Sequence, residues 1–309
     1  MAKGISMEFL YQLESIRNPI LSGIFRFFTL LGQEVIVLAV LCFFYWCYNK
    51  KLAYRISFGF FLSGILVQGL KITFRIPRPW VRDPLFKPVE EAIKAATGYS
   101  FPSGHTQAAT ALYGMLALNA KKKPSKIMLF LVIAMVGLSR MYLGVHTPAD
   151  VLTSFGITFV TILLVYYFSN YKIIKDKKIY LLLGLAGISV ALFVYCVTLY
   201  TNGTIELAYA ADSCSAAAAG VGLAIGWYVE STYLNFDERA CSNRMQVVKL
   251  VIGLAITVLL KEGFAVILGE SIVGKGIQYF LLVLWIMIGY PCIIKKFMSK
   301  RSEHTQLRK

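Results

Sequence analysis

Long apolar runs alternate with short charged gaps along most of the chain. The runs lie near residues 33–48, 53–73, 103–119, 125–143, 147–169, 179–200, 210–230, 247–268 and 275–297. Each is close to the roughly 20 residues a helix needs to cross a bilayer. The pattern predicts an all-α, polytopic bundle of about nine membrane spans. Residues 5–31 differ, because Glu8, Glu14, Arg17 and Arg26 are mixed with Phe, Leu and Ile. They read as amphipathic helices at the membrane interface, kinked near Asn18-Pro19. The expected organisation is an interfacial part over 1–32, a core over 33–170, a four-helix membrane extension over 171–298 and a basic tail over 299–309.

Composition agrees with a membrane reading. The chain has 309 residues, of which 57% are hydrophobic and 16% charged, against about 25% charged in an ordinary soluble domain. Mean hydropathy is +0.64. A disordered tail, a collagen-like fibre and a disulfide-rich secreted module are excluded. The six cysteines lie mostly in or beside apolar runs, where Cys acts as a small hydrophobe, and no spacing resembles a zinc site. Residues Met1 to Leu13 lack the parts of a signal peptide, so the spans themselves are expected to direct insertion.

The net charge of +16 raises the question of nucleic acid, and the placement of the charges answers it. Alternate gaps carry Lys50, Lys51 and Arg55; Lys121, Lys122, Lys123 and Lys126; Lys172, Lys175, Lys177 and Lys178; and Arg239, Arg244 and Lys249. The tail adds Lys295, Lys296, Lys300, Arg301, Arg308 and Lys309. Together these hold most of the 32 basic residues. Basic residues collect on the cytoplasmic side, which predicts an outer N-terminus and a cytoplasmic C-terminus, with no nucleic-acid partner required. One gap on the predicted outer face breaks the rule. It holds Lys71, Arg75, Arg78, Arg82, Lys87 and Lys94, a cluster that topology does not explain and a bound anion would.

Three segments carry the candidate chemistry, and all three fall on that outer face. The first runs from Lys71 to Arg78-Pro79, the second is Phe101-Pro102-Ser103-Gly104-His105, and the third runs from Ser139-Arg140 through His146 to Asp150. Lys71, Arg78 and Arg140 are cations at membrane depth, where an unpaired charge is costly. Snorkelling explains any one of them, but three on one face suit a phosphate, which Arg grips with a planar fork. Ser103-Gly104 opens a helix whose first N–H groups face outward as an anion site; an ordinary N-cap gives the same sequence. His146 and Asp150 are four apart and face the same way if a helix includes both, so the carboxylate can hold one ring nitrogen and free the other. A capping box of Thr147, Pro148 and Asp150 fits the same residues, and both readings are compatible. A metal on His105, His146 and Asp150 is disfavoured, since no further ligand is evident and three cations stand nearby. One imidazole to attack phosphorus, a second to protonate the leaving oxygen and fixed cations for the phosphoryl oxygens complete an inventory for phosphoryl transfer without metal or cofactor.

These segments match, in order, the Lys-x6-Arg-Pro, Pro-Ser-Gly-His and Ser-Arg-x5-His-x3-Asp signature, and no signature position departs from it. The chain therefore resembles the integral-membrane branch of the type-2 phosphatidic acid phosphatase (lipid phosphate phosphatase) superfamily, over about the second to the fifth span. The resemblance implies a metal-independent phosphomonoesterase or diphosphatase. It implies His146 as the nucleophile that forms a phosphohistidine, Asp150 as its orienting partner and His105 as the general acid. Lys71, Arg78, Ser103, Gly104 and Arg140 would bind the phosphate, and Ser139 would support the structure. Family substrates include phosphatidate, sphingosine-1-phosphate, glucose-6-phosphate, phosphatidylglycerol phosphate and undecaprenyl diphosphate.

The four spans after residue 178 lie outside the signature. They contain Asp212, Glu230, Lys261 and Glu262 in or near apolar helices, where ionisable groups are functional candidates. Asp212 and Lys261 fall toward the outer half and are candidates for a substrate entrance; structural ion pairing is the plainer reading. The expected partners are a membrane lipid phosphate and the bilayer. The site would face outward from a bacterial plasma membrane, or into an organelle lumen. The sequence leaves the lipid and the oligomeric state open. A lipid flippase that keeps the phosphate site is the alternative function, although binding alone needs no histidines. A vanadate-dependent haloperoxidase shares the anion site, but the apolar runs count against it.

Overall fold

The computed structural model describes residues 2–93, 96, 98–169 and 178–296. Lys94, Lys172, Lys175, Lys177 and the tail from Lys300 to Lys309 lie outside the described residues. Among the described residues every regular element is helical. Helix α1 spans Ala2–Ser15 and α2 spans Pro19–Leu30. The break falls at Asn18-Pro19, where the Asn18 side-chain oxygen accepts from the Leu21 N–H at 2.9 Å and Pro19 occupies the first turn, where no N–H is needed. Then follow α3 (Glu34–Tyr48), which makes a 47° bend with α2, and α4 (Lys50–Phe74). The short helices α5 (Pro79–Arg82) and α6 (Glu90–Ile93) lead to α7, residues 104–119. After α7 come α8 (Lys123–Tyr142), α9 (Pro148–Ser169), α10 (Lys178–Thr201), α11 (Leu207–Leu234), α12 (Asn243–Leu268) and α13 (Ile272–Lys296).

Seven of these helices are long and apolar enough to cross a membrane, or eight if the bent α2–α3 pair counts as one span. The run at 103–119 differs from the others. It consists of pieces of 6, 5 and 5 residues, the middle one a π-turn. At 1.5 Å per residue, α7 is roughly 24 Å long, less than a bilayer's hydrocarbon core of about 30 Å. Its apolarity comes from burial inside the bundle: Ala108, Ala109, Ala111, Leu112 and Met115 are fully enclosed. Helices α4, α8 and α9 pack around it. Of the other elements, α11 is the most enclosed of the long helices. Its buried Ala, Gly and Ser positions let α10 and α13 approach closely, as small residues do between membrane helices.

Several basic gaps meet at one end of the bundle. Lys50, at the start of α4, donates to Glu230 Oε1 at 2.8 Å and to the Phe236 carbonyl at 2.7 Å. Arg239 donates to the Tyr48 carbonyl, Lys178 to that of Ser231 and Lys295 to that of Leu234. Arg55 donates to Asn119 at the end of α7. Lys71 lies at the far end of α4, roughly 32 Å along the helix axis from Lys50.

Candidate active site

Helix α4 stops because Arg75 takes a left-handed conformation (φ 48°) while its N–H caps the Lys71 carbonyl. This leaves Lys71 in the last turn, buried, with Nζ donating to the Tyr99 carbonyl at 2.9 Å. The chain then runs extended to Arg78, and Pro79 starts α5. Arg78 is also buried and joins three segments. Its Nε donates to the Gly98 carbonyl at 3.0 Å, and its Nη1 to the Val145 carbonyl and to His146 Nε2, both at 2.9 Å. Of the basic cluster in the 71–94 gap, Lys71 and Arg78 are thus turned inward, whereas Arg75 and Lys87 are exposed.

The third segment turns back on itself between α8 and α9. Gly144 has φ +79°, and a Cβ there would come within 2.9 Å of the Phe86 ring, so the tight turn needs glycine. The turn delivers His146 to the interior, 1% exposed. His146 Nδ1 faces Asp150 Oδ2 at 3.5 Å. Arginine has no acceptor, so its contact with Nε2 requires a lone pair on that atom and places the ring proton on Nδ1, toward Asp150. Burial and the adjacent Arg78 charge depress the His146 pKa well below the ordinary imidazole value, against the opposing pull of Asp150. The neutral, Nε2-unprotonated form is therefore favoured.

Asp150 does two jobs at once. Its Oδ2 accepts from the Thr147 N–H at 2.8 Å, and the Asp150 N–H returns a long contact to Thr147 Oγ1 at 3.4 Å. This is the reciprocal capping box, with Pro148 in the first turn. The same oxygen accepts a 2.5 Å hydrogen bond from Ser100 Oγ. Sequence reasoning missed Ser100, since its partner is fifty residues away and no local spacing marks it.

Ser103 caps α7, its Oγ accepting from the Thr106 N–H at 3.4 Å. Its own N–H is not available to an anion, because it donates to the Asp150 carbonyl at 3.1 Å. A Cβ placed on Gly104 would meet no atom within 4 Å, so the backbone there is open to close approach. His105 follows; its Nε2 is buried without a hydrogen-bond partner among the described residues, and the charges of Arg140, Arg78 and Lys71 act on the ring. Arg140 is 1% exposed; its Nη1 donates to Thr29 Oγ1 at 2.7 Å, and its Nε has no partner among the described residues. Ser139 bonds back to its own helix at the Val136 carbonyl.

The two entrance candidates differ in setting. Asp212 lies beside the site: a Cβ on Gly98 would be 3.8 Å from its Oδ2, and Tyr209 packs on Tyr99 with ring centroids 4.2 Å apart. That strip of backbone holds Lys71 and Arg78. Lys261 instead sits exposed on α12, 3.6 Å from Glu262. Glu230 is fully buried and paired with Lys50 at the other end of the bundle. Among the described residues no three His, Cys, Asp or Glu side chains gather as metal ligands.

Two stretches of the chain are similar to known families. Residues 52–174 match the PAP2 superfamily, and residues 214–302 match the PAP2 superfamily phosphatase transmembrane extension. Sphingosine-1-phosphate phosphatase 2 of Mus musculus is 29% identical over 221 residues, covering 69% of this chain and 60% of the relative. A dihydrosphingosine 1-phosphate phosphatase of Schizosaccharomyces pombe is 31% identical over 159 residues, covering 47% of this chain and 37% of the relative. Phosphatidylglycerophosphatase B of Bacillus subtilis is 31% identical over 116 residues, covering 34% of this chain and 55% of the relative. The chain thus spans between about a third and three fifths of the length of these relatives.

Proposed function

We propose that this integral membrane chain, which belongs to the PAP2 superfamily, is a lipid phosphate phosphatase acting on a phosphomonoester through a phosphohistidine. The observation that carries the reading is His146. Its two ring nitrogens face opposite chemistries, Nε2 toward Arg78 at 2.9 Å and Nδ1 toward Asp150 at 3.5 Å. A nucleophilic imidazole needs that arrangement: a lone pair directed at the anion site and a carboxylate behind it for the cation that forms. The names of the relatives, two sphingoid phosphate phosphatases and a phosphatidylglycerophosphatase, favour a lipid monophosphate.

In the first step, the phosphate enters among Lys71, Arg78, Arg140 and the Gly104 backbone, and takes over the Arg78 donor that meets Nε2. Nε2 attacks phosphorus in line, an N–P bond forms and the P–O bond to the lipid breaks. His105 gives its proton to the leaving oxygen, and the lipid alcohol departs. In the second step, His105 takes a proton from water, which attacks the phosphohistidine and releases inorganic phosphate. The cations stabilise the oxygens of both transition states. Asp212, beside the Gly98–Tyr99 strip, stands where the lipid headgroup would pass.

The test is phosphate release by purified protein in detergent with excess EDTA. The panel is sphingosine-1-phosphate, phosphatidylglycerol phosphate, phosphatidate, lysophosphatidate, glucose-6-phosphate and undecaprenyl diphosphate. EDTA-resistant release that is abolished in His146→Ala is expected, with a lipid monophosphate ranked first. Release that survives His146→Ala, or that EDTA stops, would overturn the mechanism.

A further inference from the structure

Helix α2 lies before the matched core, which begins at residue 52, yet it reaches the centre of the site. Thr29 is buried, and its hydroxyl oxygen accepts from Arg140 Nη1 at 2.7 Å. Among the described residues no carboxylate forms an ion pair with this buried guanidinium, and none bonds its Nε. One corner of the planar group is therefore pinned by a neutral oxygen, while other donors keep their capacity for an anion.

The anchorage of α2 makes that pin rigid. The Phe25 ring packs on Tyr142 at 4.2 Å between centroids, and the Ser22 and Tyr142 hydroxyls meet at 3.3 Å. Just past α2, the Leu31 carbonyl accepts from Tyr113 Oη at 3.1 Å. Gly32 presses on α7 and α8: a Cβ there would lie 2.9 Å from the His105 carbonyl oxygen and 2.7 Å from Val136 Cγ1. Thr29 is thus clamped against both helices that carry the second and third segments.

We propose that Thr29 is a positioning residue, holding the Arg140 guanidinium in register with the bound phosphate, so that α2 is part of the catalytic apparatus. This rests on the phosphatase reading for its meaning, but not for its measurement. Orthovanadate, a phosphate-sized oxyanion, reports on the anion site whether or not turnover is seen. Three variants are compared with the parent in detergent: Thr29→Val, which keeps the shape and removes the acceptor; Thr29→Ala; and Thr29→Ser, which restores the oxygen. Each is measured on the monodisperse fraction for vanadate Kd by calorimetry, and for kcat and KM with the best substrate.

Thr29→Val and Thr29→Ala are expected to weaken vanadate binding and lower kcat/KM by roughly tenfold or more, the scale of a lost hydrogen bond to a charged group. Thr29→Ser is expected to stay within about threefold of the parent, because it keeps that bond. Unchanged vanadate affinity in both folded acceptor-deleted variants would overturn the proposal, as would failure of Thr29→Ser to recover it. If Thr29→Val does not fold, the Thr29→Ala and Thr29→Ser pair decides. Vanadate binding without turnover of any lipid by the parent would count against the phosphatase reading and leave the Thr29 result to stand by itself.

Discussion

Asp150 Oδ2 receives the Ser100 hydroxyl and the Thr147 N–H and faces His146 Nδ1. One oxygen thus links helix capping to orientation of the imidazole. Removing the Ser100 hydroxyl takes away one charge-assisted bond and loosens the carboxylate, without touching a reacting atom. Ser100→Ala is expected to lower kcat by about tenfold, following the usual worth of such a bond; a kcat within twofold of the parent would show that Thr147 alone suffices. The depressed His146 pKa sets a second expectation. The folded chain favours the neutral ring, whereas an unfolded chain takes up a proton as pH falls through about 6.5. The associated stability is therefore present above that pH and is lost as pH falls further. With only three histidines in the chain, nitrogen-15 labelled histidine in NMR can follow each ring. His146 should remain the neutral Nδ1–H tautomer at pH 6.5, and titration at or above that value would contradict the geometry.

At the scale of elements, the site is assembled from helix ends and the turns between them. Helix α4 ends three residues after Lys71, α7 begins one residue before His105, and α9 begins two residues after His146. The bend between α2 and α3 closes the arrangement from the side. Gly32 is the contact where that bend meets the His105 backbone, and a backbone carbonyl cannot move aside as a flexible side chain can. Gly32→Ala is expected to destabilise the protein by about 1–3 kcal/mol, the usual cost of overpacking. It should also reduce kcat through displacement of His105. A melting temperature and kcat equal to the parent's would mean that the bend relaxes without consequence.

For the whole molecule, charge and chemistry occupy opposite ends. Lys50, Arg55, Lys178, Arg239 and Lys295 meet carbonyls and side chains at one end, and His105 and His146 lie near the other. The positive-inside tendency predicts a cytoplasmic basic end and an outward-facing site. Leu85, 82% exposed, precedes the Phe86 that packs on Gly144, and Tyr233, 71% exposed, precedes the Leu234 that Lys295 bonds at the basic end. In a cysteine-free background, Leu85→Cys should react with a membrane-impermeant maleimide in intact cells. Tyr233→Cys should react only after permeabilisation. The reverse pattern would invert the orientation.

The membrane class, the helical architecture and the three motif segments were all legible in the linear chain. Each rests on local properties: apolar length, positional charge, and spacing within ten residues or so. His146 and Asp150 could be paired from sequence because they are only four residues apart, although His146 lies in the turn before α9 and not on the helix. The capping box was readable for the same reason. What tertiary structure alone decided lies at longer range. Ser100 reaches Asp150 across fifty residues, Thr29 reaches Arg140 across more than a hundred, and Asp212 comes beside Gly98 from a later helix. The apolar run at 103–119 shows the same limit from the other side, since lipid and a protein core ask for the same residues. Hydrophobicity measures the wish to leave water, and only packing determines whether a helix is surrounded by lipid or by its own chain.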